Sequence, residues 1–587
     1  MNNQERISRS EFLKRSSLGL CALFVGLNEK VFAGSAPAKA LSEPGEHLYN
    51  WGQAWHPESP KRLSDITHHL AQMGLSGQHG RNMPTVDWEF PEGRDEKLSN
   101  NRKYGYAALS VARNAPLRIL PGELIVGSAT LREAAQHRIP ALNMGSVSHT
   151  TVGFAKVLHQ GYKGLRAEID ERLSRGGLDS HGTDLLESML MTLDAAALWQ
   201  QRNIALLKEM KGNAPDSERR FYQNIIDTLE NVRNFREAVQ SLWSLYAFHR
   251  LMGNWSGIGR FDQMLWPYLE ADLQKGKITL DEARELIAHF WIKGTEWIGE
   301  FNGSGDAQFY QNIILGGIDK DGNEVTNPIT YLVLDVVEEL HISDYPIAVR
   351  IGDHTPEKLF RRIAEVQRFG GGIVSMYNEN TVIDGLVQFG YPLEEAREFT
   401  NDGCWEAIIP GKTAFIYSPC DMMQPLFRAL NLDKDVPLEA DDFETVYGRF
   451  TAELGREIDN LQKALDGSWN DPNNPNPLVS MFVEGCIEKG RGYYERGPKY
   501  TVNGIHYGGV SDTANSLLVL KKLVFEENYI GLNHFVNILR HNWEGNEGLR
   551  RLVQNRFTFY GNDHAEADDM MKRVFDDYTS IVGRVKE

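Results

Sequence analysis

The chain has 587 residues, of which 41% are apolar and 24% charged, with a formal net charge of −18. The composition is that of a globular protein and the length exceeds one ordinary core, so a large α/β enzyme domain or a few smaller domains are expected. The negative charge, with no basic patch to offset it, excludes nucleic acid and anionic lipid surfaces as partners, and no apolar run past the N-terminal region is long enough to span a bilayer.

The N-terminal stretch Ser8-Arg-Ser-Glu-Phe-Leu-Lys14 is followed by an apolar segment over 18–27 and by Ala33, Ala36, Ala38 and Ala40. A basic, then apolar, then small-residue order is that of an export signal too short to be an anchor. It resembles a twin-arginine signal, with Ser10 where the second arginine would stand. The resemblance implies a signal peptide over 1–40, a mature chain beginning near Leu41 and a periplasmic location. The alternative is a cytoplasmic protein whose N-terminus is an amphipathic helix.

Farther along, apolar residues spaced by three and four predict helices over 185–210, 217–251, 280–297, 356–369, 441–465 and 512–527. Short apolar runs at 123–126, 313–315 and 347–351 predict buried strands between them. This alternation implies an α/β architecture. The run from Ile313 to Val325 predicts a hairpin turned at Asp321-Gly322, and the Pro/Asn-rich piece 471–477 predicts a surface loop. Gly411-Lys412-Thr413 is not a P-loop, because Glu406 stands where the motif needs its first glycine. The glycines 370–372 follow a predicted helix rather than open one, and no zinc-type histidine pair or G-x-S-x-G elbow occurs. The four cysteines, Cys21, Cys404, Cys420 and Cys486, include no C-x-x-C pair, which argues against a disulfide framework or zinc site. Cys420 and Cys486 read as small buried apolar residues.

Cys404 lies in Asn401-Asp-Gly-Cys-Trp-Glu-Ala-Ile-Ile-Pro-Gly-Lys412. In an extended segment residues i and i+2 face one side, which would put Cys404 and Glu406 before one substrate. A thiol beside a carboxylate suits nucleophilic catalysis by a thiolate, or hydrogen-atom transfer by a thiyl with the carboxylate moving a proton. The residues alone leave both open.

The Gly403-Cys404-x-Glu406 loop with Pro410-Gly411-Lys412 resembles the cysteine finger of the eliminating glycyl-radical enzymes, in the pyruvate formate-lyase-like superfamily. Other blocks agree in order: Glu123-Leu-Ile-Val-Gly127, then the stretches 235–243, 259–268, 370–378 and 516–527, and Tyr560-Gly-Asn-Asp563. The resemblance implies one large domain over 41–587, an α/β barrel of two antiparallel half-barrels surrounded by helices and incomplete at its C-terminal end. It implies a lyase or dehydratase, or its large subunit, that eliminates water or an amine from a small polar alcohol. Cys404 would be the thiyl and Glu406 the proton-transfer base, with His149 and Asp262 as substrate-binding groups. No cofactor or metal would be bound directly. A glycyl radical installed by an S-adenosylmethionine iron–sulfur activating enzyme is implied, yet the Arg-Val-x-Gly-Tyr loop that carries it in the family has no match here, and Gly583 stands in another context. The expected partners are therefore the small-molecule substrate, an activating enzyme, a separate glycine-loop polypeptide and a second copy in a homodimer. Trp405 stands where eliminating members carry a small aliphatic residue. The competing reading is a non-catalytic exported descendant that binds a small molecule.

Overall fold

The computed structural model describes residues 60–584, apart from 82, 92–96, 137, 140–143, 231, 298–310, 343–344, 369–373 and 405. The expected signal segment, the glycines 370–372 and Trp405 lie outside the described residues. Those described form two compact bodies, a larger one over 60–416 and 467–502 and a smaller one over 417–466 and 503–584. Among them no helix is long and apolar enough to cross a membrane.

The larger body carries the helices α1 (Ser180–Asn213), α2 (Asp216–Glu230) and α3 (Phe235–Leu251). The sequence predicts one helix over 217–251; the structure breaks it, because Asn234 takes an extended backbone and its side chain accepts from Glu237 N–H, capping a new helix at Phe235. Downstream come α4 (Phe261–Gln274), α5 (Leu280–Lys293), α6 (Pro328–Leu340) and α7 (Glu357–Gln367). A reciprocal capping box between Thr279 and Glu282 starts α5, and Asn327 with Pro328 starts α6.

In chain order the strands around the site are β1 (Ser148–Thr151), β2 (Trp255–Gly257), β3 (Gly259–Arg260), β4 (Ile313–Gly316), β5 (Ile347–Ile351), β6 (Val374–Asn378), β7 (Thr400–Asp402) and β8 (Glu406–Ile408). Strands β3 to β6 form one four-stranded sheet in sequential order, every pair parallel. Parallel neighbours need crossovers, and α4 to α7 supply them. Strand β4 is buried along its whole length, as a continuous apolar run predicts, while β6 ends the sheet with Ser375 and Met376 exposed. Helix α7 turns Leu359, Ile363 and Val366 inward at helical spacing. Strands β1 and β2 pair in parallel and β7 and β8 antiparallel.

Other expectations need adjustment. The run 123–126 is not a strand: the buried Gln240 amide stands in for a strand partner, accepting Val126 N–H and donating to Val126 C=O, both at 2.8 Å. The turn at Asp321-Gly322 forms, but its arms shrink to one antiparallel bridge between Ile318 and Glu324, because β4 is committed to its parallel neighbours. The loop 471–477 is exposed at Pro472 and Asn473, whereas Asn476 is buried and bonds Asn254 and Tyr104.

The smaller body is mainly helical, with α8 (Phe443–Gly467), α9 (Val510–Leu520) and α10 (Ala565–Val582). Phe443, Val446, Phe450, Leu454 and Ile458 make the inner stripe of α8 and share a core with Leu517, Leu518, Met570 and Val574. The helix predicted over 512–527 ends as an α-helix at Leu520 and continues as a π-turn over Lys521–Glu526.

Candidate active site

Asp402 lies opposite Glu406, Asn401 opposite Ala407 and Thr400 opposite Ile408, so β7 and β8 form a tight hairpin with Cys404 in its turn. Gly403 enters the turn at φ +58°, in the left-handed region. A Cβ there would overlap His149 Cδ2 and lie 2.7 Å from Glu406 Oε2, so glycine lets the backbone approach both groups. The turn is fastened from two other strands' neighbourhoods. Asn312, just before β4, donates to Gly403 C=O at 3.0 Å, and Tyr377 of β6 donates to Cys404 C=O at 3.2 Å. Asn401 in turn donates to the Tyr377 hydroxyl at 3.1 Å, and burial pushes that phenol up to about 12.

Cys404 is exposed, while Glu406 is only 3% exposed. The turn residue is thus open to solvent, whereas the carboxylate of the adjoining strand is closed off from it. The facing argument of the sequence analysis also changes. Cys404 sits in a turn, and the residue that shares Glu406's face is its cross-strand neighbour Asp402. His149 joins them from β1: its Nε2 lies 3.8 Å from Glu406 Oε1 and its Nδ1 2.7 Å from Ser148 Oγ. The backbone of His149 is itself left-handed at φ +56°, uncommon for a residue with a side chain.

Asp402 carries no signal in the Gly-Cys-x-Glu motif, and sequence reasoning missed it together with Thr151, Asn312 and Tyr377. It is fully buried. Its Oδ1 accepts Gly403 N–H at 2.7 Å, and its Oδ2 accepts Gly257 N–H at 2.8 Å and the Thr151 hydroxyl at 3.1 Å. Burial, aided by the charge of Glu406, raises this carboxyl well above the usual range against those bonds.

Asp262 is committed to other bonds. On the first turn of α4 it is fully buried, with Oδ2 accepting Gly316 N–H at 2.8 Å and the Thr330 hydroxyl at 2.6 Å, so it ties α4 to the end of β4 and the start of α6. The structure brings Cys404, Glu406 and His149 together and gives Asp262 a separate set of bonds. Among the described residues no group of three or more His, Cys, Asp or Glu is placed to hold a metal ion, and none of Cys404, Cys420 and Cys486 is in a disulfide.

The sequence matches the pyruvate formate lyase-like family over residues 141–587. The chain belongs to that family. It is similar to trans-4-hydroxy-L-proline dehydratase of Clostridioides difficile, 28% identical over 476 residues that cover 74% of this chain and 60% of the relative. It is also similar to (2S)-3-sulfopropanediol dehydratase of Klebsiella oxytoca, 27% identical over 472 residues covering 73% and 56%. The chain therefore spans less than two thirds of the length of these curated relatives. Among solved structures, the glycerol-bound B12-independent glycerol dehydratase of Clostridium butyricum superposes with a TM-score of 0.79 at 22% identity, over 91% of this chain and 80% of that one. A glycyl radical enzyme of Archaeoglobus fulgidus gives 0.74 at 22% identity, over 90% and 78%. These likenesses establish the fold: this pyruvate formate lyase-like chain has the α/β architecture of glycyl radical enzymes.

Proposed function

We propose that this chain is the cysteine-bearing part of a glycyl-radical lyase or dehydratase that removes water or an amine from a small polar alcohol. The observation that carries the reading is the exposed Cys404 in the turn that leads into the buried Glu406, with His149 3.8 Å from that carboxylate. The naming of the relatives as dehydratases supports the reaction class. A radical stored on glycine supplies the hydrogen-atom chemistry. Within the chain, Cys404 as a thiyl takes a hydrogen atom from the carbon bearing the hydroxyl, and Glu406 takes the hydroxyl proton. The group on the neighbouring carbon leaves with a proton, and the Cys404 thiol returns its hydrogen atom to the product. His149 orients the substrate or Glu406. Asp262, spent on bonds within the fold, holds α4 to the end of β4 and the start of α6. The protein's own contribution is orientation and proton transfer.

No Arg-Val-x-Gly-Tyr match occurs in the 587 residues, so the reading assigns the radical-storing glycine to a segment outside them and an S-adenosylmethionine iron–sulfur activating enzyme to its installation. It also has the protein exported from about Leu41 and acting as a homodimer. The test is anaerobic turnover of small diols, amino alcohols and hydroxyproline by the chain, with an activating enzyme and a glycine-loop polypeptide supplied. Cys404→Ser abolishes turnover, because a hydroxyl cannot carry the hydrogen atom, and Glu406→Gln lowers it by at least about 100-fold. Turnover at the wild-type rate by either folded variant removes that residue from the mechanism.

A further inference from the structure

Asp402 has no step in the chemistry above, yet its carboxyl is fully buried. Taking a carboxyl group out of water costs several kcal/mol unless every oxygen is satisfied. Here the oxygens are satisfied from three segments at once: Gly403 within the turn, Gly257 of β2 and Thr151 of β1. Two glycines make the arrangement possible. A Cβ on Gly257 would overlap Asp402 Oδ2 and come within 2.9 Å of Thr151 Oγ1, and one on Gly403 would overlap His149. The hairpin register places Asp402 opposite Glu406, at the base of the turn that holds Cys404. One side chain therefore connects the last residue before the turn to the first backbone N–H within it, and anchors both to the β1–β2 pair that also carries His149.

We propose that Asp402 is the positioning residue of the Cys404 turn: by bonding Gly403 N–H through one oxygen and Gly257 N–H and Thr151 through the other, it fixes the turn that carries the thiol relative to the strand of Glu406 and the β1–β2 pair. Its catalytic meaning rests on the reading of Cys404 and Glu406 given above; its structural content does not. Asparagine has nearly the same shape but only one acceptor oxygen, so Asp402→Asn sets an NH2 against Gly403 N–H or against Gly257 N–H and releases one side of the clamp. Thr151→Val removes one donor and keeps the branched shape, whereas Thr151→Ser keeps the hydroxyl.

The experiment measures the second-order rate of iodoacetamide alkylation at Cys404 in the full chain by peptide mass spectrometry, with buried Cys486 and half-buried Cys420 in the same digest as controls. A thiol on a released turn samples more attack geometries, so Asp402→Asn alkylates at Cys404 faster by about five-fold, the equivalent of one lost hydrogen bond. Thr151→Val shifts the rate in the same direction, and Thr151→Ser leaves it at the wild-type value. Cys486 and Cys420 keep their rates. If Asp402→Asn does not fold, Thr151→Val against Thr151→Ser decides alone. A folded Asp402→Asn with an unchanged Cys404 rate, rates rising together at all three cysteines, or Thr151→Val indistinguishable from Thr151→Ser overturns the proposal. Because no turnover enters the measurement, a failure of the lyase reading, seen as an active Cys404→Ser, is told apart from a failure of this one.

Discussion

At Gly403 the backbone conformation, the turn and the proposed site groups His149 and Glu406 meet in one residue. Any side chain there has to be held at φ +58° and would occupy the space of His149 Cδ2 and Glu406 Oε2. The left-handed conformation alone costs a side-chain residue ~1–2 kcal/mol. Gly403→Ala is therefore expected to lower the melting temperature measurably and, by pushing His149 and Glu406 apart, to cut elimination by at least about 100-fold, the scale of an ångström's misplacement. A thermal melt and the anaerobic assay check both parts, and an alanine variant that keeps the wild-type rate means the close approach of these groups is not needed. The Cys404–Glu406 pair was legible in the sequence because the motif is short and contiguous. Asp402, Thr151 and Tyr377 were not, because what they do is defined by bonds to residues distant in the chain.

At the scale of elements, α5 shows how a helix end organises its surroundings. Its last residue, Lys293, is 2% exposed and donates to Glu123 at 3.0 Å and to Glu296 at 3.1 Å, while Arg118 pairs with Glu296. Burial pushes both carboxylates up, but the Arg118 and Lys293 charges outweigh it at Glu296, which is held at about 2, whereas Glu123 stays raised. Lys293→Met leaves Glu123 buried without its cation and is expected to destabilise the larger body by about 3–5 kcal/mol. Adding Glu123→Gln to Lys293→Met recovers a substantial part of that loss, since the stranded charge is then gone. Urea denaturation of the two variants beside wild type checks this; a double variant no more stable than the single one removes charge burial as the cause. This network and the Gln240 amide hold 123–127 in place without a sheet partner. That is why an apolar run there looked like a strand.

At the scale of the whole molecule, the core of the larger body encloses neutral histidines. His249 is fully buried edge-on to Phe154 and Phe482, with ring centroids 5.2 and 4.5 Å away, and neither ring nitrogen has a hydrogen-bond partner among the described residues. His289 accepts Leu124 N–H at Nδ1 and meets Thr67 through Nε2. Burial lowers both rings to about 3, helped at His289 by the charge of Lys293. The folded state then binds fewer protons than the unfolded chain below the ordinary histidine value, so stability is complete above about pH 6.5 and is lost as pH falls toward 3. Each ring withdraws about 2 kcal/mol by pH 5. His249→Phe is expected to shrink the difference in urea stability between pH 7.5 and pH 5 by about that amount. An unchanged difference means His249 does not report on acid unfolding.

The sequence by itself determined the α/β class, the main helices and the Cys404–Glu406 loop, because helical periodicity and a contiguous motif are local properties that survive without the fold. It also carried the family, since the ordered blocks lie along one chain. Tertiary structure alone decided the parallel order of β3 to β6, the break at Asn234, and the turn that exposes Cys404 while Glu406 is buried. It alone placed His149 beside that carboxylate and gave Asp262 its bonds to Gly316 and Thr330. Strand register, cross-strand neighbours and buried side-chain bonds join residues more than a hundred positions apart, and the geometry that makes Asp402, Gly257 and Thr151 one clamp exists only after those segments have packed.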